Sequence, residues 1–76
     1  MSNKKGDIEI GFRAFEEAIR LFREPHIAIK RLRCGHNTLY GWRSGCVPGG
    51  LHLARLCWFG ADVVYILTGK RTEGAT

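Results

Sequence analysis

The 76-residue sequence has no apolar run near the roughly 18 residues that a membrane-crossing helix needs, so no membrane partner is expected. Its first residues, Met1 to Gly6, are polar and lack the apolar stretch and small-residue cleavage site of a secretory signal. A cytoplasmic protein is the expectation. Cysteine is sparse and unpaired: Cys34, Cys46 and Cys57 are an odd number with no C-x-x-C pair, which argues for reduced thiols rather than a disulfide framework. The spacings Cys34-x-His36 and Cys46…His52 do not match structural zinc sites, so the cysteines read as small core residues and no metal is expected. No Gly-x-x-x-x-Gly-Lys run is present to cradle phosphates. Nothing supplies the third, orienting group of a Cys–His nucleophile, so an enzyme, a cofactor and a small-molecule ligand are not expected.

Acid is missing from one region. All seven acids, Asp7, Glu9, Glu16, Glu17, Glu24, Asp62 and Glu73, lie outside residues 25–61. The flanks also hold seven bases, so they cancel, and the net charge of +5 belongs to Lys30, Arg31, Arg33, Arg43 and Arg55. An undiluted positive field over about half of a small domain suits a polyanion, although a solvated basic face would look the same in composition. What is present otherwise is ordinary. With 45% hydrophobic and 25% charged residues the chain reads as a single globular domain, with a core modest enough that a partner chain would help.

Phe12, Phe15, Ala18, Ile19 and Phe22 recur at helical spacing, predicting a first helix over about 9–23 with that stripe buried. Pro25 stops this helix or opens the next. A second helix over about 26–33 buries Ile29 and Leu32, and a third over about 36–44 buries Leu39 and Trp42 before Gly45 ends it. After the loop Cys46-Val47-Pro48-Gly49-Gly50, a fourth runs from about Leu51 to Phe59, with Leu53, Leu56 and Cys57 inward. Asp62 caps a fifth over Val63 to Thr68, terminated by Gly69. The predicted fold is all-α, five short helices about one core. Residues 1–8 form a flexible N-terminal segment, 9–69 the domain and 70–76 a flexible tail.

The segment from Asn37 to Gly45, NTLYGWRSG, followed by Pro48, resembles the recognition helix and following loop of the Cro and repressor-type helix-turn-helix family. The stretch Leu53-Ala54-Arg55-Leu56, and especially the ending GADVVYILTG, 60–69, is similar to the last two helices of the same lambda-repressor-like domains. Counting back from Trp42, the family's turn glycine falls on Arg33 and its Ser or Thr N-cap on Gly35. A second register takes Gly35 as the turn glycine and shortens the turn by two. The resemblance implies a xenobiotic-response-element-type or phage-type transcriptional regulator in a bacterial cell, a homodimer that binds double-stranded operator DNA. No second domain is expected after Gly69, which suits a small Cro-like repressor. An antitoxin-like or accessory module that binds mainly a protein partner is the alternative.

In the first register the opening turn of helix 3 holds His36, Asn37 and Thr38, side chains able to meet base edges in a major groove. Asn can pair bidentately with adenine, and Thr can touch a thymine methyl. The bland readings are a local hydrogen bond for Asn37 and a solvated His36. Gly41, one turn on, either permits close approach to DNA or simply weakens the helix. Tyr40 and Arg43 are expected to look outward toward phosphate, as are Lys30, Arg31 and Arg33 from helix 2. Trp42 reads as core. Trp58 falls on the flank or outside of helix 4 and, with Val63 and Val64, is the candidate dimer contact.

Overall fold

A computed structural model describes the backbone of residues 5–71 and the side chains from Glu9 to Arg71. It is all-α, with five helices in the described residues: α1 (Lys5–Phe22), α2 (Pro25–Leu32), α3 (His36–Arg43), α4 (Gly50–Trp58) and α5 (Val63–Thr68). None of them is long and apolar enough to cross a membrane. α1 begins four residues earlier than the sequence predicts, so it takes in part of the expected N-terminal segment. Residues 1–4 and 72–76, the rest of the two expected tails, lie outside the described residues. Glycine and proline punctuate the chain as anticipated: Pro25 opens α2 at its first turn, and Gly45, Gly60 and Gly69 follow helices with positive φ.

α1 is the central strut, packed against α2, α3 and α5. Leu32, Leu39, Trp42, Leu56 and Ile66 fill the space around it together with Ala14, Ala18 and Ala28. The buried face of α1 differs from the predicted one. Gly11, Ala14, Glu17 and Ala18 point inward, whereas Phe12 is 54% exposed and Phe15, Ile19 and Phe22 are half-buried. The reason is closeness. A Cβ on Gly11 would run into the Cys46 carbonyl oxygen and lie 2.8 Å from that of Trp42, so α1 meets α3 through small residues and its phenylalanines are turned aside.

Glu17 has no exposed surface, and it organises the other end of the fold. Its carboxylate accepts from Arg20 Nη2 at 2.8 Å, from Arg71 Nη1 at 2.9 Å and from the Asp62 backbone N–H at 2.9 Å. Burial pushes the carboxyl pKa up, but the bonds from Arg20, Asp62 and Arg71 outweigh burial and hold it below the ordinary glutamate value. Asp62 in turn caps α5 by accepting from the Tyr65 N–H at 3.0 Å. Arg71 lies across the Tyr65 ring, 3.8 Å from its centre, and so straps the residues after α5 onto α1.

The cysteines are not core residues: Cys46 and Cys57 are exposed and Cys34 is half-buried. In α4 the inward positions are Leu53 and Leu56 without Cys57, and in α2 they are Ala28 and Leu32, with Ile29 only half-buried.

Candidate nucleic-acid interface

Three residues, Arg33-Cys34-Gly35, connect α2 to α3. Arg33 is left-handed, with φ 55° and ψ 45°, and Gly35 is extended at the N-cap of α3, with φ −83° and ψ 162°. This is the first of the two registers, with an arginine where a glycine would be comfortable. Local bonds compensate. The Arg33 and Cys34 amides both donate to the Ile29 carbonyl, and Arg55 Nη1 on α4 donates to the Leu32 carbonyl at 2.9 Å. Arg55, counted among the five central cations, thus serves the C-terminus of α2, where a positive charge meets the negative end of the helix dipole.

The first turn of α3 is open. Gly35 brings no side chain to cap it, and no acid lies in the turn. Thr38 and Leu39 donate to the Gly35 carbonyl, which leaves the His36 and Asn37 amides with no acceptor among the described residues. Both side chains are exposed, and Thr38 is half-buried. The Asn37 side chain makes no hydrogen bond within the described residues, so it does not serve as a local cap.

Further along α3 the expectations divide. Tyr40 does not look outward. It is half-buried, with the His36 ring 4.7 Å away on one side and Phe15 of α1 5.8 Å away on the other. Gly41 accepts from the Cys46 amide at 2.9 Å, and a Cβ there would sit 3.7 Å from Cys46 Sγ, in ordinary contact. Leu39 and Trp42 are the buried pair that the spacing predicts, and His52 packs edge-on to the Trp42 ring at 5.7 Å. Arg43 is exposed, its guanidinium 5.9 Å from the Phe15 ring centre.

Lys30, Arg31 and Arg33 are exposed, and no acid among the described residues lies within ion-pair distance of them or of Arg43. Lys30, Arg31 and Arg33 line a cleft with Arg55, Trp58 and Phe59, and Trp58 is 83% exposed. On α5, Val63 is half-buried while Val64 and Leu67 are about half exposed, at 50% and 46%. Sequence reading missed this cleft because nothing in the chain signals that the end of α2 meets the end of α4. Within the described residues no three of His, Cys, Asp or Glu come together to hold a metal ion. Compared with protein families, curated proteins and solved structures, the chain matches none of them.

Proposed function

We propose that this chain is a sequence-specific DNA-binding transcriptional regulator of the helix-turn-helix kind, a small phage-type repressor that lays α3 in the major groove of an operator. The observation that carries the reading is the uncapped start of α3: among the described residues two amides lack acceptors beneath exposed His36 and Asn37, in a half of the molecule whose cations have no described acidic partners. A helix start with open N–H groups favours phosphate, and an amide side chain beside it can read adenine. The left-handed residue ahead of an extended N-cap supports the same reading, because it fits the turn of the helix-turn-helix register. Tyr40 serves in this account as a prop that fixes His36, and Gly41 as a packing residue against Cys46; neither reads DNA directly.

As a homodimer the protein would present two α3 helices to a two-fold operator. Val64 and Leu67, with Val63 behind them, give α5 an apolar strip for that contact. Trp58 suits it less well. A two-fold axis at Trp58 would set Lys30, Arg31 and Arg33 against their own copies.

The test separates base reading from phosphate contact. Asn37→Ala should cost about 1–3 kcal/mol on the operator and little on scrambled duplex, collapsing the ratio between them. Arg43→Ala should weaken both by similar factors and flatten the log–log salt slope, on the order of −4 to −8 for a dimer, by about one unit. Titration of both variants against both duplexes at two salt concentrations measures this. Equal losses for Asn37→Ala on the two duplexes, or a flat salt response, would turn the assignment toward a module that binds a protein partner.

A further inference from the structure

Two unpartnered surfaces of this molecule have opposite character. One is the cleft between the ends of α2 and α4, about 510 Å³ in volume and lined by Lys30, Arg31, Arg33, Arg55, Trp58 and Phe59 without a single acid. Its floor is fixed, because Phe59 packs edge-on against Phe22 at 5.2 Å and Arg55 is tied to the Leu32 carbonyl. Trp58, also in its lining, has one ring neighbour among the described residues, Phe59, tilted and 5.7 Å away. The other surface is the outer side of α1, where Phe12, Phe15, Glu16 and Ile19 line an apolar groove of about 240 Å³. Glu9, exposed and paired with Arg13 at 3.3 Å, lies one turn before Phe12. Glu9, Phe12, Glu16 and Ile19 therefore follow one stripe about 15 Å long, at 1.5 Å per residue. Arg43 borders the groove at its α3 edge through Phe15, and Glu16 also accepts from the Tyr65 hydroxyl at 2.8 Å.

We propose that Trp58 of one copy seats in the α1 groove of a second copy, with Lys30 and Arg31 facing the second copy's Glu9 and Glu16. An exposed indole ringed by cations and an exposed apolar groove flanked by carboxylates are complementary in both shape class and charge. The chain displays both halves, so no other molecule has to be supplied. Because the two surfaces differ, the contact is heterologous. Each added copy leaves one free Trp58 and one free groove, and association need not stop at two. It draws on Lys30 and Arg31, which the DNA-binding reading counts among its cations, but on none of the proposed base-reading residues, and it adds to any two-fold contact on α5. None of His36, Asn37 or Thr38 lines either surface.

Tryptophan emission of the full chain, without DNA, tests this directly. Trp42 is 2% exposed and gives a constant, iodide-resistant background, whereas Trp58 is open to quencher. Phe12→Glu spoils the groove and keeps Trp58; Trp58→Glu spoils the indole and keeps the groove. Both positions are on the surface, and unchanged circular dichroism verifies the fold. Wild-type emission should shift to the blue and lose iodide quenching as protein concentration rises. Phe12→Glu alone should do neither. Adding an excess of Trp58→Glu protein to Phe12→Glu protein should restore the shift and the shielding and should saturate. Trp58→Glu should also lower wild-type self-association at least about thirtyfold, as loss of a central aromatic anchor does. Arg31→Glu made in the Trp58-bearing copy, or Glu9→Lys in the groove-bearing copy, should weaken the mixture about threefold, and added salt should erase that difference. Shielding of Trp58 in Phe12→Glu alone would overturn the proposal, since Trp58 would then meet something other than the groove. So would the absence of shielding in both the wild type and the mixture.

Discussion

Where α1 meets α5, charge is matched, and at Glu17 it is buried. Glu17 is buried under Arg20, Arg71 and the Asp62 amide, Glu9 pairs with Arg13, and Glu16 takes the Tyr65 hydroxyl. Where α2 meets α3, Lys30, Arg31, Arg33 and Arg43 stand in solvent with no acid among the described residues to answer them. The first region uses ionised groups to hold elements together. The second carries a self-repelling cluster that contributes little to the fold, since exposed cations add little to stability. Charge kept without a folding role is what an anionic partner would require. One part of the molecule thus uses its charges to hold elements together, and the other keeps its cations open to solvent.

Gly11 joins the two parts, because through it α1 touches the end of α3 and the loop that follows. Gly11→Ala should therefore give the largest effect. The added methyl group has backbone carbonyls in its way rather than a movable side chain. Overpacking of this kind costs about 3 kcal/mol or more, a large part of the total for a small domain. Loss of a cooperative thermal transition is the expected outcome. A melting temperature within a few degrees of wild type would mean that α1 lies further from α3 than described.

Glu17→Gln breaks the matched side without changing its shape. The variant keeps an acceptor for the Asp62 amide and loses the ionic half of both arginine contacts. Those arginines are about half exposed, which moderates the cost, so a loss of about 2–3 kcal/mol is expected. The pH dependence has a definite sign. A carboxyl whose pKa is lowered by folding contributes stability that is complete above the ordinary glutamate value and disappears as the pH falls through the lowered one. Thermal melts between neutral and acid pH should show wild type losing this increment and the Gln variant having none to lose. Parallel curves for the two proteins would remove Glu17 from the acid response.

The helix count and the core pair Leu39 and Trp42 were legible in the sequence because glycines, Pro25 and Asp62 mark the ends and period 3.6 marks the face. The inward face of α1 was not. Hydrophobic periodicity ranks phenylalanine above glycine and alanine, yet here close approach at Gly11 decides, so Phe12 goes outside and Phe15 and Phe22 are only half-buried. Glu17 was equally hidden: on a helical wheel it is one more polar residue, and its partners Asp62 and Arg71 lie 45 and 54 positions away. Of the candidate interface, the exposure of His36, Asn37 and Arg43 followed from the register, while the half-buried Tyr40 required knowledge that Phe15 turns toward α3. The turn register stayed ambiguous for a similar reason. A rule that asks for glycine at the left-handed position could not foresee the Arg55 bond to the end of α2.

That position gives the smallest effect and sharpens the comparison most. Arg33 sits on the unmatched side in a conformation that costs a side-chain-bearing residue about 1–2 kcal/mol, while glycine pays about 0.5–1 kcal/mol in unfolded-state entropy. The difference favours glycine, so Arg33→Gly should stabilise the fold by about 0.5 kcal/mol. The backbone carbonyl that Arg55 reaches is retained, and no described ion pair is lost. On the proposed reading the same substitution removes one cation from the DNA-facing half. It should weaken binding to operator and scrambled duplex alike and reduce the salt slope by at most about one unit. Denaturant unfolding and the two-duplex titration together decide the matter. Greater stability with weaker binding would mean that this arginine is held in strain for the sake of its charge. Greater stability with unchanged binding would place Arg33 outside the DNA contact and leave it to the cleft beside Trp58.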